Sequence, residues 1–252
     1  MASDIVISAR HMKKSFGTGN NIQTIYDDLN IDIYRGDFTV IMGASGAGKS
    51  TLLYALSGMD TPNGGTIEFD GVDITKLTSD ELAVFCRKAC GFVFQQIYLI
   101  DNMSLMDNVL AAGTLVNRSK TQIAERANQL FDLVNISPQT RKNMPSLVSG
   151  GEAQRAGMVR AVINEPTVLF ADEPTGALNS ANSTAVLDVF TSLHQQGQTI
   201  VMVTHDKKSA LRANRVVYVR DGQIFGSCEL GPYREDAART AKFEEFLTQM
   251  EW

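Results

Sequence analysis

With 252 residues, 44% of them hydrophobic, the chain has ample material for a buried core, as one α/β domain or as a core carrying a smaller lobe. A net charge of −5 and a pI of about 5.3 exclude a global basic field that would recruit nucleic acid or anionic lipid. No apolar run approaches the roughly 20 residues that cross a bilayer. The N-terminus lacks a charged, apolar, small-residue leader pattern, and the three cysteines cannot pair completely. Cys86 and Cys90, four apart on a predicted helix, read as packing residues, so the expectation is a reduced, soluble, intracellular protein.

Short extended runs open the chain: Ile5–Ile7, Thr24–Tyr26 and Leu29–Tyr34 alternate with period two, with Gly17, Gly19, Asn20 and Asn21 as turn material. Phe38–Met42 is apolar and rich in strand formers. It runs into Gly43-Ala44-Ser45-Gly46-Ala47-Gly48-Lys49-Ser50-Thr51, which fits G-x-x-x-x-G-K-[ST]. Leu52, Leu53, Ala55 and Leu56 then supply a helix stripe that Gly58 closes. Strand, glycine loop and helix together are what a phosphate-binding loop needs. Its glycines let successive N–H groups face one anion, and the helix N-terminus adds partial positive charge. Lys49 would reach the β- and γ-phosphates of a nucleotide, and the Ser50 hydroxyl would ligate Mg²⁺. Gly65–Gly71 reads as another short strand, giving a small antiparallel sheet beside a nucleotide-binding core.

From Thr78 the pattern turns helical. Thr78-Ser79-Asp80-Glu81 is a capping box, and Gly91–Phe94 is a strand ending at Gln95. Helices open at Ser104, running through Val116, and at Ser119, with Ile123, Ala127, Leu130, Phe131 and Val134 on one face. Ser149-Gly150-Gly151-Glu152 opens a further helix and leaves two readings open. It is a capping box, or its glycine N–H groups and serine hydroxyl form a second anion site. Residues 77–165 therefore read as a mostly helical lobe inserted into the core.

Thr167–Glu173 is a buried strand whose end carries Asp172 and Glu173. Asp172 can hold Mg²⁺ through water, and Glu173 can orient the attacking water or take its proton. A helix over Ser180–His194, a buried strand over Thr199–His205, a helix around Lys208–Ala213 and a strand over Arg215–Val219 follow, and Asp221-Gly222 turns the chain. The tail from Arg234 to Trp252 reads as a helix. The expected fold class is α/β: a phosphate-loop ATPase core with a mainly parallel sheet, an N-terminal antiparallel β subdomain and an inserted α-helical subdomain. One domain over 1–252 would comprise the core (1–76 and 166–233), the helical part (77–165) and a C-terminal helix (234–252).

The phosphate loop, Gln95 after an apolar strand, SGGE opening a helix, VLFADEPTGALN, and His205 closing TIVMVTH occur in that order over nearly the whole chain. In this the sequence resembles the ATP-binding cassette ATPases. KSFGTG, IMGASGAGKSTLLYALSGMD, GFVFQ, ADEPTGAL and MVTHD look like the lipoprotein-release, macrolide-export and bacitracin-resistance group. DGQIFGSCELG followed by a charged amphipathic tail looks most like its antimicrobial-peptide-resistance branch.

The resemblance implies that Phe16 stacks on adenine with Ile25 beside the base, although both also read as ordinary strand residues. It implies that Gly43, Ala44, Ser45, Gly46, Ala47, Gly48, Lys49, Ser50 and Thr51 hold the phosphates of ATP. Ser50 and Gln95 would complete the Mg²⁺ shell, Asp172 would support the metal through water, and Gln95 would report nucleotide state to the helical lobe. Glu173 would act on the water and His205 would hold the γ-phosphate, so that Glu173, His205, Lys49 and Gln95 form the catalytic set. Ser149, Gly150, Gly151 and Glu152 stand where the family has its signature, in which the serine and second glycine contact ATP bound to the other protomer. That requires a head-to-tail homodimer.

Three departures stand out: Val148 and Glu152 replace the signature's Leu and Gln, and Asn179 replaces an Asp. A carboxylate beside a partner's triphosphate would repel it unless Glu152 folds back onto the Ser149 N–H, which is the arrangement expected here. Asn179 keeps size and some hydrogen bonding but loses charge, which would weaken communication between the two ATP sites and lower basal hydrolysis.

The implied function is an ATPase subunit on the cytoplasmic face of the cell membrane. It would power a separate integral membrane permease, and through it act on a sensor kinase, while exporting or detaching a peptide antibiotic or lipid-linked substrate. The alternative is a regulatory ATPase that drives a membrane partner controlling a cell-wall hydrolase or sensor kinase without transport. One cassette, no heptad run and an acidic pI argue against translation-factor and DNA-repair relatives, so no nucleic-acid partner is expected.

Overall fold

The computed structural model describes residues 4–18, 21–116 and 119–252. They divide into two compact units, one drawn from the chain up to Cys86 and from Thr199 onward, the other running Arg87–Gln198. Gly19 and Asn20, expected as turn residues, lie outside the described residues.

The chain begins with β1 (Ile5–Thr18) and β2 (Asn21–Tyr34). In place of the short runs expected from alternation, these are two fourteen-residue antiparallel strands. Register shifts at Ala9/Met12, Met12/Lys14 and Lys14/Ser15 break the period-two pattern, so the sequence shows fragments of each strand. β3 (Phe38–Met42) is buried at every position and leads to α1 (Lys49–Ser57). Leu52, Leu53, Ala55 and Leu56 are buried, and Gly58 ends the helix in the left-handed region, as read from the sequence. β4 (Gly64–Phe69), β5 (Val72–Asp73) and α2 (Ser79–Ala89) follow. The antiparallel sheet runs β2-β1-β4-β5. Its register stacks Ile33, Ile7 and Phe69 in one row and Ile31, Ala9 and Ile67 in the next, all buried. Each large side chain there contributes about 1.5–3 kcal/mol of burial.

In the second unit, β6 (Cys90–Phe94) precedes three helices, α3 (Leu105–Gly113), α4 (Lys120–Leu133) and α5 (Gly150–Val162). Ser104, Ser119 and Ser149 cap them, each side chain accepting an N–H three residues on. α3 stops at Gly113, where the chain tightens into one 3₁₀ turn, Thr114–Val116. β7 (Val168–Asp172) pairs parallel with β6 from Cys90↔Val168 to Phe94↔Asp172. α6 (Ser180–Gln195), capped by Asn179, completes this unit, so β7 and α6 fall in one compact unit with the helices.

The first unit resumes with β8 (Thr199–Val203), α7 (Lys207–Ala210), β9 (Arg215–Arg220), β10 (Gln223–Glu229) and α8 (Ala237–Gln249). The helix expected over 208–213 is the single turn α7. β3 lies between β8 and β9 and is parallel to both. β10, which alternation did not announce, pairs antiparallel with β9 through Asp221-Gly222. Both turn residues have positive φ, as a two-residue hairpin requires.

α8 is bound to this unit by Arg239, which is 7% exposed. Its guanidinium donates to the carbonyls of Leu211 (2.9 Å), Leu230 (3.0 Å), Gly231 (3.0 Å), Pro232 (3.1 Å) and Ala213. Burial holds the Arg239 pKa below its ordinary value, and the carbonyl cage offsets the lost hydration. Beyond the helix, Trp252 meets the Tyr218 ring edge-on at 5.9 Å. Arg239→Met leaves those carbonyls unpaired and is expected to lower the unfolding free energy by about 3 kcal/mol. Urea denaturation measures the loss, and limited proteolysis should then release the segment after Asp236.

Candidate active site

In the first unit, the glycine loop begins where β3 ends. Met42 pairs with Tyr218 of β9, and the next residue, Gly43, passes so close to β9 that a Cβ there would lie 2.2 Å from the Val219 carbonyl oxygen. Only glycine fits that approach. At the other end, Gly48 (φ +91°) is the N-cap of α1 and gives its first turn no side-chain cap, and that turn carries no acidic residue. An anion is the natural partner for such N–H groups. Lys49 is 9% exposed and folds back over the loop, its Nζ donating to the Ala44 carbonyl at 2.8 Å.

The neighbouring strand delivers His205 to the same edge. β3 and β8 pair parallel with Ile41 opposite Val203, so the glycine loop and the Thr204-His205 segment leave adjacent strands in one direction. The Thr204 hydroxyl then accepts the Asp206 N–H at 3.0 Å, turning the chain into α7. Ile25 of β2 lines an open cleft of about 330 Å³ with Gln23, Thr24, Ala44–Ala47 and Arg220–Gly222. Phe16 does not line that cleft. It lies opposite Gln23 in the β1–β2 register, 46% exposed, with Lys14 Nζ 4.8 Å from its ring centroid. Lys14 is itself buried and paired with Asp60 at 2.7 Å.

The second unit repeats this construction. Phe94 and Asp172 are register partners on parallel β6 and β7, so Gln95 and Glu173 are the first residues past two adjacent strand ends. A Cβ at Gly176 would lie 3.0 Å from Gln95 Nε2 and 3.4 Å from the Glu173 carbonyl oxygen, placing the glutamine amide against the turn after Glu173. Glu173 has a φ of +45°, a backbone state that a glutamate adopts only under constraint. No sequence signal pointed to that strain.

The Ser149 segment sits in the second unit also, and both of its open readings bear on its geometry. The capping box is formed: Ser149 Oγ accepts the Glu152 N–H (3.2 Å), and a Glu152 carboxylate oxygen accepts the Ser149 N–H (2.9 Å) and hydroxyl (2.8 Å). These two bonds, the backbone one first, hold the Glu152 carboxyl below the usual glutamate range. Glu152 is therefore folded back, as expected from the sequence. Gly151 packs against Asn182, whose Oδ1 would lie 2.5 Å from a Cβ there, and Asn179 Oδ1 accepts the Asn182 N–H at 2.9 Å. The residue replacing the family's Asp thus serves as a helix cap, a task for which Asn and Asp are equivalent.

The groups expected around Mg²⁺ (the Ser50 hydroxyl, the Gln95 amide and the Asp172 carboxylate) all offer hard oxygen donors of the kind that ion takes. Among the described residues no group of three or more His, Cys, Asp or Glu is placed to hold a metal by itself. Two residues next to these elements were not singled out in the sequence. Tyr26 abuts Gly48, and Arg160 of α5 donates to the carbonyls of Ile97 (3.0 Å) and Tyr98 (2.5 Å), fixing the segment that follows Gln95. Nothing in their spacing marks either.

Comparison with known proteins accounts for this arrangement. The ABC transporter family profile matches residues 26–176. The bacitracin export ATP-binding protein BceA of Halalkalibacterium halodurans is 36% identical over 96% of this chain and 94% of its own length. The macrolide export ATP-binding/permease protein MacB of Neisseria gonorrhoeae is 35% identical over 96% of this chain, which spans only 39% of that relative. Among solved structures, the ATP-binding cassette MJ0796, a dimer in a post-hydrolysis state bound to ADP and Pi, superposes with a TM-score of 0.81 at 31% identity. That match covers 88% of this chain and 98% of MJ0796. The chain belongs to the ABC transporter family and is an ATP-binding, ATP-hydrolysing cassette of its macrolide- and bacitracin-export group.

Proposed function

We propose that this cassette hydrolyses ATP at sites shared by a head-to-tail homodimer on the cytoplasmic face of the membrane. The cycle drives a separate integral membrane permease that exports or detaches a peptide antibiotic or lipid-linked substrate, with a sensor kinase reached through that permease. The observation that carries the reading is the pairing of Phe94 with Asp172, which sets Gln95 and Glu173 side by side at strand ends. One of these residues senses the nucleotide and the other acts on it. Gln95 leads directly into Tyr98, Ile100 and Met103, which are exposed, and the Leu105 N–H bonds to the Asn143 carbonyl next to exposed Met144 and Leu147. Such apolar exposure suits a docking surface for permease helices. The match to a bacitracin export ATP-binding protein supports the reading of this cassette as the ATP-driven part of an export system. No helix among the described residues is long and apolar enough to cross a membrane.

In this mechanism the N–H groups of Gly46 to Ser50 and the start of α1 orient the triphosphate. Lys49 exchanges the Ala44 carbonyl for phosphate oxygen. Glu173 takes the proton of the attacking water, and His205 fixes the γ-phosphate. Ser50 and Gln95, with Asp172 acting through water, would hold a Mg²⁺ ion, which when bound would supply charge neutralisation of the phosphates. Ile25, in the cleft, receives the adenine, and Phe16, exposed on the neighbouring strand outside it, would stack on the base. Ser149 and Gly151 of one protomer meet the γ-phosphate bound by the other; that MJ0796 is dimeric supports the dimer this requires.

Three outcomes are expected. Glu173→Gln retains ATP binding, loses at least about 100-fold in turnover and accumulates ATP-bound dimers on size exclusion. Full turnover would remove Glu173 from its role. Glu152→Gln preserves the cap through its amide oxygen and changes ATP affinity less than about threefold. A large tightening would show that the carboxylate faces the triphosphate after all. Because the Glu152 pKa is depressed, the wild-type box contributes fully above the unfolded pKa and weakens as pH falls through the folded one, a step the variant lacks. Finally, Ser45→Cys with Ser149→Cys should crosslink between chains in ATP. Crosslinks confined to single chains during continued ATP consumption would rule out the shared site.

A further inference from the structure

Tyr26 lies on β2 with its side chain 1% exposed. Its hydroxyl oxygen is fully buried and bonds to no other group among the described residues. The ring tip is aimed at the phosphate loop. A Cβ built on Gly48 would lie 2.6 Å from the hydroxyl oxygen and 2.9 Å from Cζ, with Ile25 Cγ2 also at 2.6 Å. Gly48 is therefore glycine on two counts, its φ of +91° and the phenol that occupies its side-chain space.

Burial pushes the hydroxyl pKa up, so the group remains a neutral donor. A buried donor without an acceptor is costly, and phenylalanine would fill the same space without that cost. The hydroxyl therefore needs an acceptor supplied in another state of the loop. Peptide geometry identifies one. In a planar trans peptide the N–H and C=O point in opposite directions. When the loop turns its N–H groups outward to wrap a triphosphate, the corresponding carbonyls turn inward, toward the side on which Tyr26 stands.

We propose that Tyr26 is a positioning residue for nucleotide binding. Its hydroxyl donates to a carbonyl of the Gly46–Gly48 segment when the loop closes on a triphosphate, so that the unsatisfied donor of the free protein becomes affinity for the bound one. This rests on the reading of residues 43–51 as the phosphate site.

The test is Tyr26→Phe in the full chain. Thermal unfolding without nucleotide is measured beside equilibrium binding of MgATP and of inorganic tripolyphosphate. Removing the orphan hydroxyl should raise the unfolding temperature of the free protein while weakening MgATP about tenfold, the value of one well-made buried hydrogen bond. Tripolyphosphate should weaken by the same factor, because the effect is on the loop and not on the base. MgATP affinity within twofold of wild type would overturn the inference. So would a joint fall in affinity and stability, which would mark a packing role, or a loss confined to MgATP, which would move Tyr26 to the nucleoside side. Lys49→Ala separates the two levels of the argument. If it binds MgATP as wild type does, the phosphate-loop reading fails and the inference with it. If it loses binding while Tyr26→Phe is silent, only the inference falls.

Discussion

β3, β7 and β8 are apolar almost from end to end, with Thr39 the polar exception inside β3, because strands covered on both faces disfavour polar side chains within their length. Polar chemistry is therefore displaced to the first residue or two beyond each strand. Parallel register then gathers these residues: Ile41 opposite Val203 puts the glycine loop beside His205, and Phe94 opposite Asp172 puts Gln95 beside Glu173. Slipping either register by one residue would separate the pair and turn buried side chains to the wrong face. The chemistry of each unit thus depends on an alignment of aliphatic and aromatic residues that never touch phosphate. Ligand sites at the carboxyl ends of parallel strands are a general property of such sheets, and the proposed site residues of both units lie at such ends.

Helix starts are the second recurring device, and they divide into two kinds. α3, α4, α5 and α6 are closed by their own Ser or Asn side chains. α1 alone among these begins on a glycine with no cap and no acidic residue. The contrast distinguishes a helix end satisfied internally from one left for an anion. Ser149 lies between the two kinds. Its hydroxyl both accepts from and donates to Glu152, so any approaching phosphate must compete with a carboxylate already in place. An uncharged amide at this position would keep the same acceptor oxygen for Ser149 and lose only the charge.

Much of this was legible in the sequence because the signals were local. The glycine loop, the three serine caps, the buried strands β3, β7 and β8 and the left-handed Gly58 each follow from a few adjacent residues, whereas Asn179 shows its role as a cap only in the structure. What escaped depends on partners far along the chain. β1 and β2 read as fragments because their bulges break alternation, and the bulges are defined only by the pairing. β10 carries Gly226 and mixed exposure, and becomes a strand by annealing to β9 through Asp221-Gly222. The positive φ of Glu173 follows from how the chain leaves β7, and residue type argues against it. Tyr26 reads as one more alternating strand residue, and its meaning comes from Gly48, 22 positions away.

The contact between Trp252 and Tyr218 has a practical side. The chain contains a single tryptophan. Its indole stands edge-on against a ring whose backbone pairs with Met42, and the residue after Tyr218 supplies the carbonyl that Gly43 grazes. One fluorophore is thus wired, through two hydrogen-bonded strands, to the root of the glycine loop. The protein carries its own optical gauge for movement at that root, readable without any label.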